Sequence, residues 1–108
     1  MRDRDSLMNA QQDVARLMRG HGLEYDAGTH VLDLVSEVGE LAKLILDASG
    51  YGQRPLDQDV DFSGEVGDTV YSLLALATAL DVDAEEALAD ALRKYEKRIR
   101  ERGGPGSG

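Results

Sequence analysis

Apolar residues recur at three- and four-residue steps along most of the chain, the spacing that gathers side chains on one face of an α-helix. Leu7, Ala10, Val14, Leu17 and Met18 mark a first helix, which Gly20 and Gly22 bring to an end. A second starts near Asp26 or Thr29, either of which can accept a hydrogen bond from the unpaired N–H groups of a helix start. Its stripe is Val31, Leu34, Val35, Val38, Leu41, Ala42 and Ile45, and it ends before Gly50-Tyr51-Gly52. Residues 50–61 hold two Gly, one Pro and three Asp and read as a loop. A third helix runs from about Ser63 to Leu80, with Val66, Val70, Leu73, Leu74 and Ala77 as its stripe. Asp81 or Asp83 caps a fourth, which carries Leu88, Leu92, Tyr95 and Ile99. No stretch alternates with period two for long enough to form a sheet. The pattern predicts an all-α fold, a four-helix bundle over residues 1–102, with 103–108 as a disordered Gly/Ser/Pro tail.

The second helix carries more apolar surface than one stripe needs, because Leu32, Leu44 and Leu46 fall outside it. A helix apolar around most of its circumference is buried on several sides. In a chain of 108 residues that extra cover points to another subunit, a homodimer or homotetramer.

Composition narrows the function. With 21 Asp and Glu against 12 Lys and Arg, the net charge is −9, which argues against duplex nucleic acid as a partner. The absence of cysteine excludes disulfides, thiolate metal sites and thiol nucleophiles. Met1-Arg2-Asp3-Arg4-Asp5 leads into no apolar signal region. The most apolar stretch, Val70 to Leu80, is well short of the roughly 20 residues that span a bilayer. A cytoplasmic protein with no membrane partner is expected.

The most informative feature is an internal echo. Glu37-Val38-Gly39-Glu40 in the second helix recurs as Glu65-Val66-Gly67-Asp68 in the third. At about 100° per residue, two acids three positions apart share one flank of a helix. If the two helices pack side by side, four carboxylates converge. Like charges that close must take up protons or hold cations. An all-oxygen set suits a hard divalent ion, which keeps positions open for water and phosphate oxygens. Neither His21 nor His30 stands in the i,i+3 relation that di-iron bundles add, so both are read as structural or exposed, and Mg²⁺ or Mn²⁺ is the expected ion. Mid-helix glycine costs about 1 kcal/mol relative to Ala. Its appearance at Gly39 and Gly67 suggests close approach of the two backbones. An EF-hand over Asp57, Asp59, Asp61, Glu65 and Asp68 fails at Phe62, where that loop needs Gly.

These motifs resemble the all-α nucleotide pyrophosphohydrolases, the MazG-like and dimeric dUTPase-like superfamily. Its hallmark is E-x-x-E, a spacer, then E-x-x-D, matched by Glu37/Glu40 and Glu65/Asp68 with 24 residues between the pairs. The likeness extends from about residue 7 to residue 100. It takes in Leu41-Ala42, the run Ser72 to Ala77, the closing Ala87-Leu88, Lys94 and Arg98, and a partial echo at Tyr25 to His30. The resemblance implies Mg²⁺-dependent cleavage of a nucleoside triphosphate between its α and β phosphates, with Glu37, Glu40, Glu65 and Asp68 as metal ligands and catalytic acids. Many members place a further acid directly before the first motif Glu, where this chain has Ser36. That departure leaves open the number of ions and the identity of the base.

Phosphate contacts should come from cations. The segment from Arg93 to Arg102 holds six of the 12 basic residues. Within it Lys94 and Arg98, four apart on one face, match the family's late Lys and Arg; Lys43, one turn after Glu40, is a further candidate. Two other readings stay open. A phosphoribosyl-ATP pyrophosphohydrolase would share fold and chemistry, and a non-catalytic metal-binding dimerisation module would account for Ser36.

Overall fold

The computed structural model describes residues 6–102, so the expected tail at 103–108 and the first five residues lie outside it. Four helices follow in order: α1 (Leu7–His21), α2 (Ala27–Ala48), α3 (Ser63–Ala79) and α4 (Ala84–Arg102). No strand occurs among the described residues.

Local chemistry sets each helix start. The Asn9 N–H donates to Ser6 Oγ at 3.1 Å at the start of α1, and the Thr29 N–H donates to Asp26 Oδ1 at 2.8 Å at the start of α2. Asp61 Oδ1 accepts from both the backbone N–H and the hydroxyl of Ser63, and Asp83 Oδ1 accepts from the Glu86 N–H. Glycine works at the ends. Gly22 closes α1 in the left-handed region at φ 68°, with its N–H donating to the Met18 carbonyl. After α2 the residues Gly50, Tyr51 and Gly52 all have positive φ, and the Tyr51 N–H returns to the Leu46 carbonyl at 2.7 Å. Arg54 closes the same turn by donating to the Asp47 carbonyl at 3.1 Å.

α2 and α3 form an antiparallel pair and pack on each other more extensively than any other two helices. Their register shows in the hollows they share: Glu40 and Asp47 line one with Glu65, and His30 lines another with Ser72 and Ala75. α1 lies along another flank of α3, and α4 packs against α1. One side chain joins three of these elements. Gln11 of α1 donates to the Val82 carbonyl and the Thr78 hydroxyl and accepts from the Ala84 N–H, which satisfies the turn between α3 and α4. Glu85 bridges the two helix starts by accepting from the Ser6 hydroxyl and the Met8 N–H.

The buried apolar set is small: Met18, Ala48, Leu74, Ala75 and Ala77. The side of α2 turned to α3 carries His30, Leu34, Glu37, Leu41, Leu44 and Ala48, all buried or half-buried. That corrects the sequence reading in two respects. Leu44, placed outside the main stripe, sits on the inward side, while Val31, Val35, Val38 and Ile45 of the expected stripe are 40–62% exposed. α2 therefore has two apolar faces roughly 100° apart, and only one is covered within the chain. No residue of α4 is buried. The radius of gyration is 16.8 Å, against about 13 Å for a compact domain near 100 residues.

Candidate functional site

Glu37 is set on the inward side of α2 by the same rotation that buries Leu34 and Leu41, and Glu65 is set likewise at the start of α3. One carboxylate oxygen from each of Glu37, Glu65 and Asp68 lies within 4.8 Å of the other two. Glu37 and Glu65 are half-buried and Asp68 is exposed. The fourth motif acid, Glu40, is outside that trio and lines an adjoining hollow of about 260 Å³ with Lys43, Leu44, Asp47 and Glu65. Three of the four predicted ligands thus converge, and the fourth sits one helical turn away.

The electrostatics agree with this geometry. Among the described residues, no Lys, Arg or His forms an ion pair with any of the four acids. The Glu37 carboxyl is held above its ordinary range, first by desolvation and then by the charges of Glu40, Asp68, Glu65 and Asp33. Asp26 and Asp61 go the other way, lowered by the hydrogen bonds they accept at helix starts. A trio of carboxylate oxygens without a neutralising cation fits a hard divalent ion, whose charge would remove the repulsion.

Asp33 escaped the sequence reading, and Tyr71 joins it at the site. Asp33 and Tyr71 line a hollow of about 370 Å³ with Ser36, Glu37, Asp68 and Ser72. The available signal was the spacing, since Asp33 precedes Glu37 by one turn and Tyr71 follows Asp68 by three residues. Ser36, standing where a further acid is common, therefore has a carboxylate beside it in the same hollow.

The remaining candidates are placed as follows. Lys43 shares its hollow with Asp47 and forms no ion pair with it. Lys94 and Arg98 lie on α4 and flank the Tyr95 ring, with Nζ 5.3 Å and Cζ 5.9 Å from its centroid. His30 is structural as expected: it is buried, and its Nε2 accepts from the Tyr25 N–H at 3.2 Å. His21 is exposed in the last turn of α1.

The two motif glycines do not bring backbones together. A Cβ on Gly39 or Gly67 would meet nothing within 4 Å. Each stands two residues after an inward-facing Glu, a rotation of about 200° that turns it away from the partner helix. Gly39→Ala and Gly67→Ala should each stabilise the fold by about 0.5–1 kcal/mol through helix propensity. The expected result is a higher Tm for each variant in thermal unfolding. A lower Tm would show that something outside the single chain packs at that position.

A family model described as the MazG nucleotide pyrophosphohydrolase domain matches residues 27–102. YpjD of Bacillus subtilis (strain 168), an uncharacterized protein, is 33% identical over 72 residues, which are 64% of this chain and 63% of that protein. The chain thus spans slightly less than two thirds of that relative's length. No solved structure matches the chain.

Proposed function

The chain belongs to the MazG nucleotide pyrophosphohydrolase family, and from that membership we propose that it hydrolyses nucleoside triphosphates between the α and β phosphates, releasing a monophosphate and pyrophosphate. The observation that carries this reading is the uncompensated trio of Glu37, Glu65 and Asp68 on two facing helices. With Glu40 they would hold Mg²⁺, or Mn²⁺ as a substitute. When bound, the ion would neutralise phosphate charge and acidify a coordinated water.

The chain's own residues complete the chemistry. Lys43 lies beside Glu40 and Glu65, where it can contact a phosphate oxygen that the acids alone would repel. Lys94 and Arg98 are proposed as further phosphate cations from the family pattern, although α4 packs against α1 and neither residue lines the acidic hollows. Ser36 is not a base at neutral pH. Asp33, in the same hollow as Glu37 and Asp68, is the carboxylate available to take a proton from the attacking water. The fit is to a cytoplasmic enzyme of the nucleotide pool, since a chain of net charge −9 would repel duplex nucleic acid.

The test is incubation of the protein with a panel of canonical and modified ribo- and deoxyribonucleoside triphosphates, with and without Mg²⁺, and measurement of monophosphate and pyrophosphate. Metal-dependent pyrophosphate release, lost in Glu40→Gln and reduced in kcat by Asp33→Asn, is expected. No release above blank, or full activity in Glu40→Gln, would overturn the reading. Turnover of phosphoribosyl-ATP alone would move the activity to the neighbouring substrate class.

A further inference from the structure

A third hollow, of about 240 Å³, opens off the acid site at the end away from Lys43, lined by Leu23, Tyr25, His30, Tyr71, Ser72 and Ala75 together with Asp33. Asp33, Tyr71 and Ser72 also line the hollow that holds Glu37 and Asp68, so the two form one continuous depression. His30 lies about 10 Å of helix rise from Glu37, the length of one nucleoside. The turn after α1 supplies one wall. Gly22 ends that helix in the left-handed region, and the Leu23 N–H returns to the Met18 carbonyl. His30 then fixes the chain that follows, because its Nε2 accepts from the Tyr25 N–H and its ring lies 5.8 Å from the Tyr25 ring. Tyr25 is thereby held at the rim, and Tyr71 of α3 supplies a second aromatic wall.

Two polar side chains here are more than nine-tenths buried: His30 is 5% exposed and Ser72 is 7% exposed. Thr69 and Thr78, on the same helix as Ser72, each donate a hydroxyl to the carbonyl one turn back at 2.8 Å. The Ser72 hydroxyl makes no such bond and has no partner among the described residues. No fully buried side-chain oxygen or nitrogen among those residues lacks a partner, so Ser72 Oγ is open to the two hollows it lines. In His30, a ring that accepts at Nε2 carries its proton on Nδ1, a second donor with no partner among the described residues. No Lys or Arg lines the hollow, and Asp33 would repel a phosphate there. Aromatic walls, the short apolar surface of Leu23 and Ala75, and free donors suit a flat neutral heterocycle with acceptor atoms on its edge.

We propose that this hollow receives the base of the nucleotide and that the free Ser72 hydroxyl hydrogen-bonds the base there, making Ser72 a specificity-determining residue. The inference rests on the nucleotide reading above and gives it a direction. The base lies toward Tyr25, and the triphosphate runs past the acid trio toward Lys43, the cation of the far hollow. His30 is a positioning residue, acting through the bond that holds Tyr25. The fold itself does not need the Ser72 hydroxyl. Alanine there would lose no hydrogen bond and is the better helix former.

Two measurements on the whole chain test this. The first compares kcat/KM for the best nucleoside triphosphate with that for methyl triphosphate, which has the phosphates and no base. Ser72→Ala should lower that ratio about tenfold, the scale of one neutral hydrogen bond, with a melting temperature no lower than the wild type's. His30→Gln, whose Oε1 can still accept from the Tyr25 N–H, should keep more of the ratio than His30→Leu. An unchanged ratio in folded Ser72→Ala would overturn the proposal. The second uses tyrosine fluorescence, since the chain has no Trp and two of its four Tyr line this hollow. A nucleoside triphosphate with an α,β-imido bridge, added with Mg²⁺, should quench it, and methyl triphosphate should not. Quenching without pyrophosphate release from the ordinary nucleotide would sink the activity and leave the base site standing. Equal kcat/KM for the nucleotide and methyl triphosphate would sink the base site and leave the activity standing. Neither quenching nor release would overturn both.

Discussion

Glu37→Gln should melt at a higher temperature than the wild type when divalent ions are chelated, and should lose activity by about a hundredfold or more, the usual scale for removing one group that stabilises developing charge. Both halves follow from one environment. The Glu37 carboxyl is desolvated and faces Glu40, Asp68, Glu65 and Asp33, so its charged form is disfavoured in the fold. An acid whose folded pKa lies above its unfolded value binds protons more tightly when folded. Wild-type stability without metal should therefore rise as pH falls from neutrality through the raised pKa, and the gain is complete below the ordinary carboxylate range. Glutamine removes the charge at nearly constant shape and should flatten that part of the profile.

Added Mg²⁺ should reverse the order. The wild type gains by mass action on the folded state, whereas the variant has replaced one of its three converging carboxylates with a neutral amide. Thermal melts of both proteins at neutral and mildly acidic pH, with chelator and with Mg²⁺, supply the measurement. A variant that melts below the wild type in chelator would mean that the carboxylates are not strained against one another. The expected gain in stability with loss of activity is the usual relation at a site whose charges are held together for function.

Much of this site was legible in the sequence because its cues are local. Asp26 and Asp83 begin their helices, Gly22 ends one, and the repeated acid pairs at i,i+3 place their carboxylates on one flank whatever surrounds them. Which apolar stripe of a helix meets which neighbour is not local. Val31, Val35 and Val38 recur at helical steps just as Leu34, Leu41 and Leu44 do, and periodicity alone merges most of both sets into one stripe without ranking either as inward. Packing against α3 settled it in favour of the set that carries Glu37. The glycines were misread for a related reason. Their matching offset suggested mutual contact, but two residues past an inward-facing Glu is the far side of the helix. Asp33 and Tyr71 join the site only because turns of two helices enclose one hollow, which a single-helix pattern does not show.

Leu74→Ala should cost about 2–5 kcal/mol, the range for emptying a buried leucine site, out of the roughly 5–15 kcal/mol that holds a small domain together. Leu74 is 3% exposed, the largest aliphatic side chain after Met18 in the buried set, whereas its neighbour Leu73 is 50% exposed. The two leucines are adjacent in sequence, identical in chemistry and about 100° apart around α3, so they separate a buried position from a half-exposed one. Leu74→Ala empties a site closed within the chain. Leu73 lines an open apolar groove with Leu7 of α1 and Leu88 of α4, and Leu73→Ala should lower the Tm by clearly less than Leu74→Ala. If Leu73→Ala matches Leu74→Ala in thermal melts, the exposed stripe of α3 carries as much of the fold as its buried one. If Leu74→Ala is nearly neutral, the small core is not where the fold's stability lies.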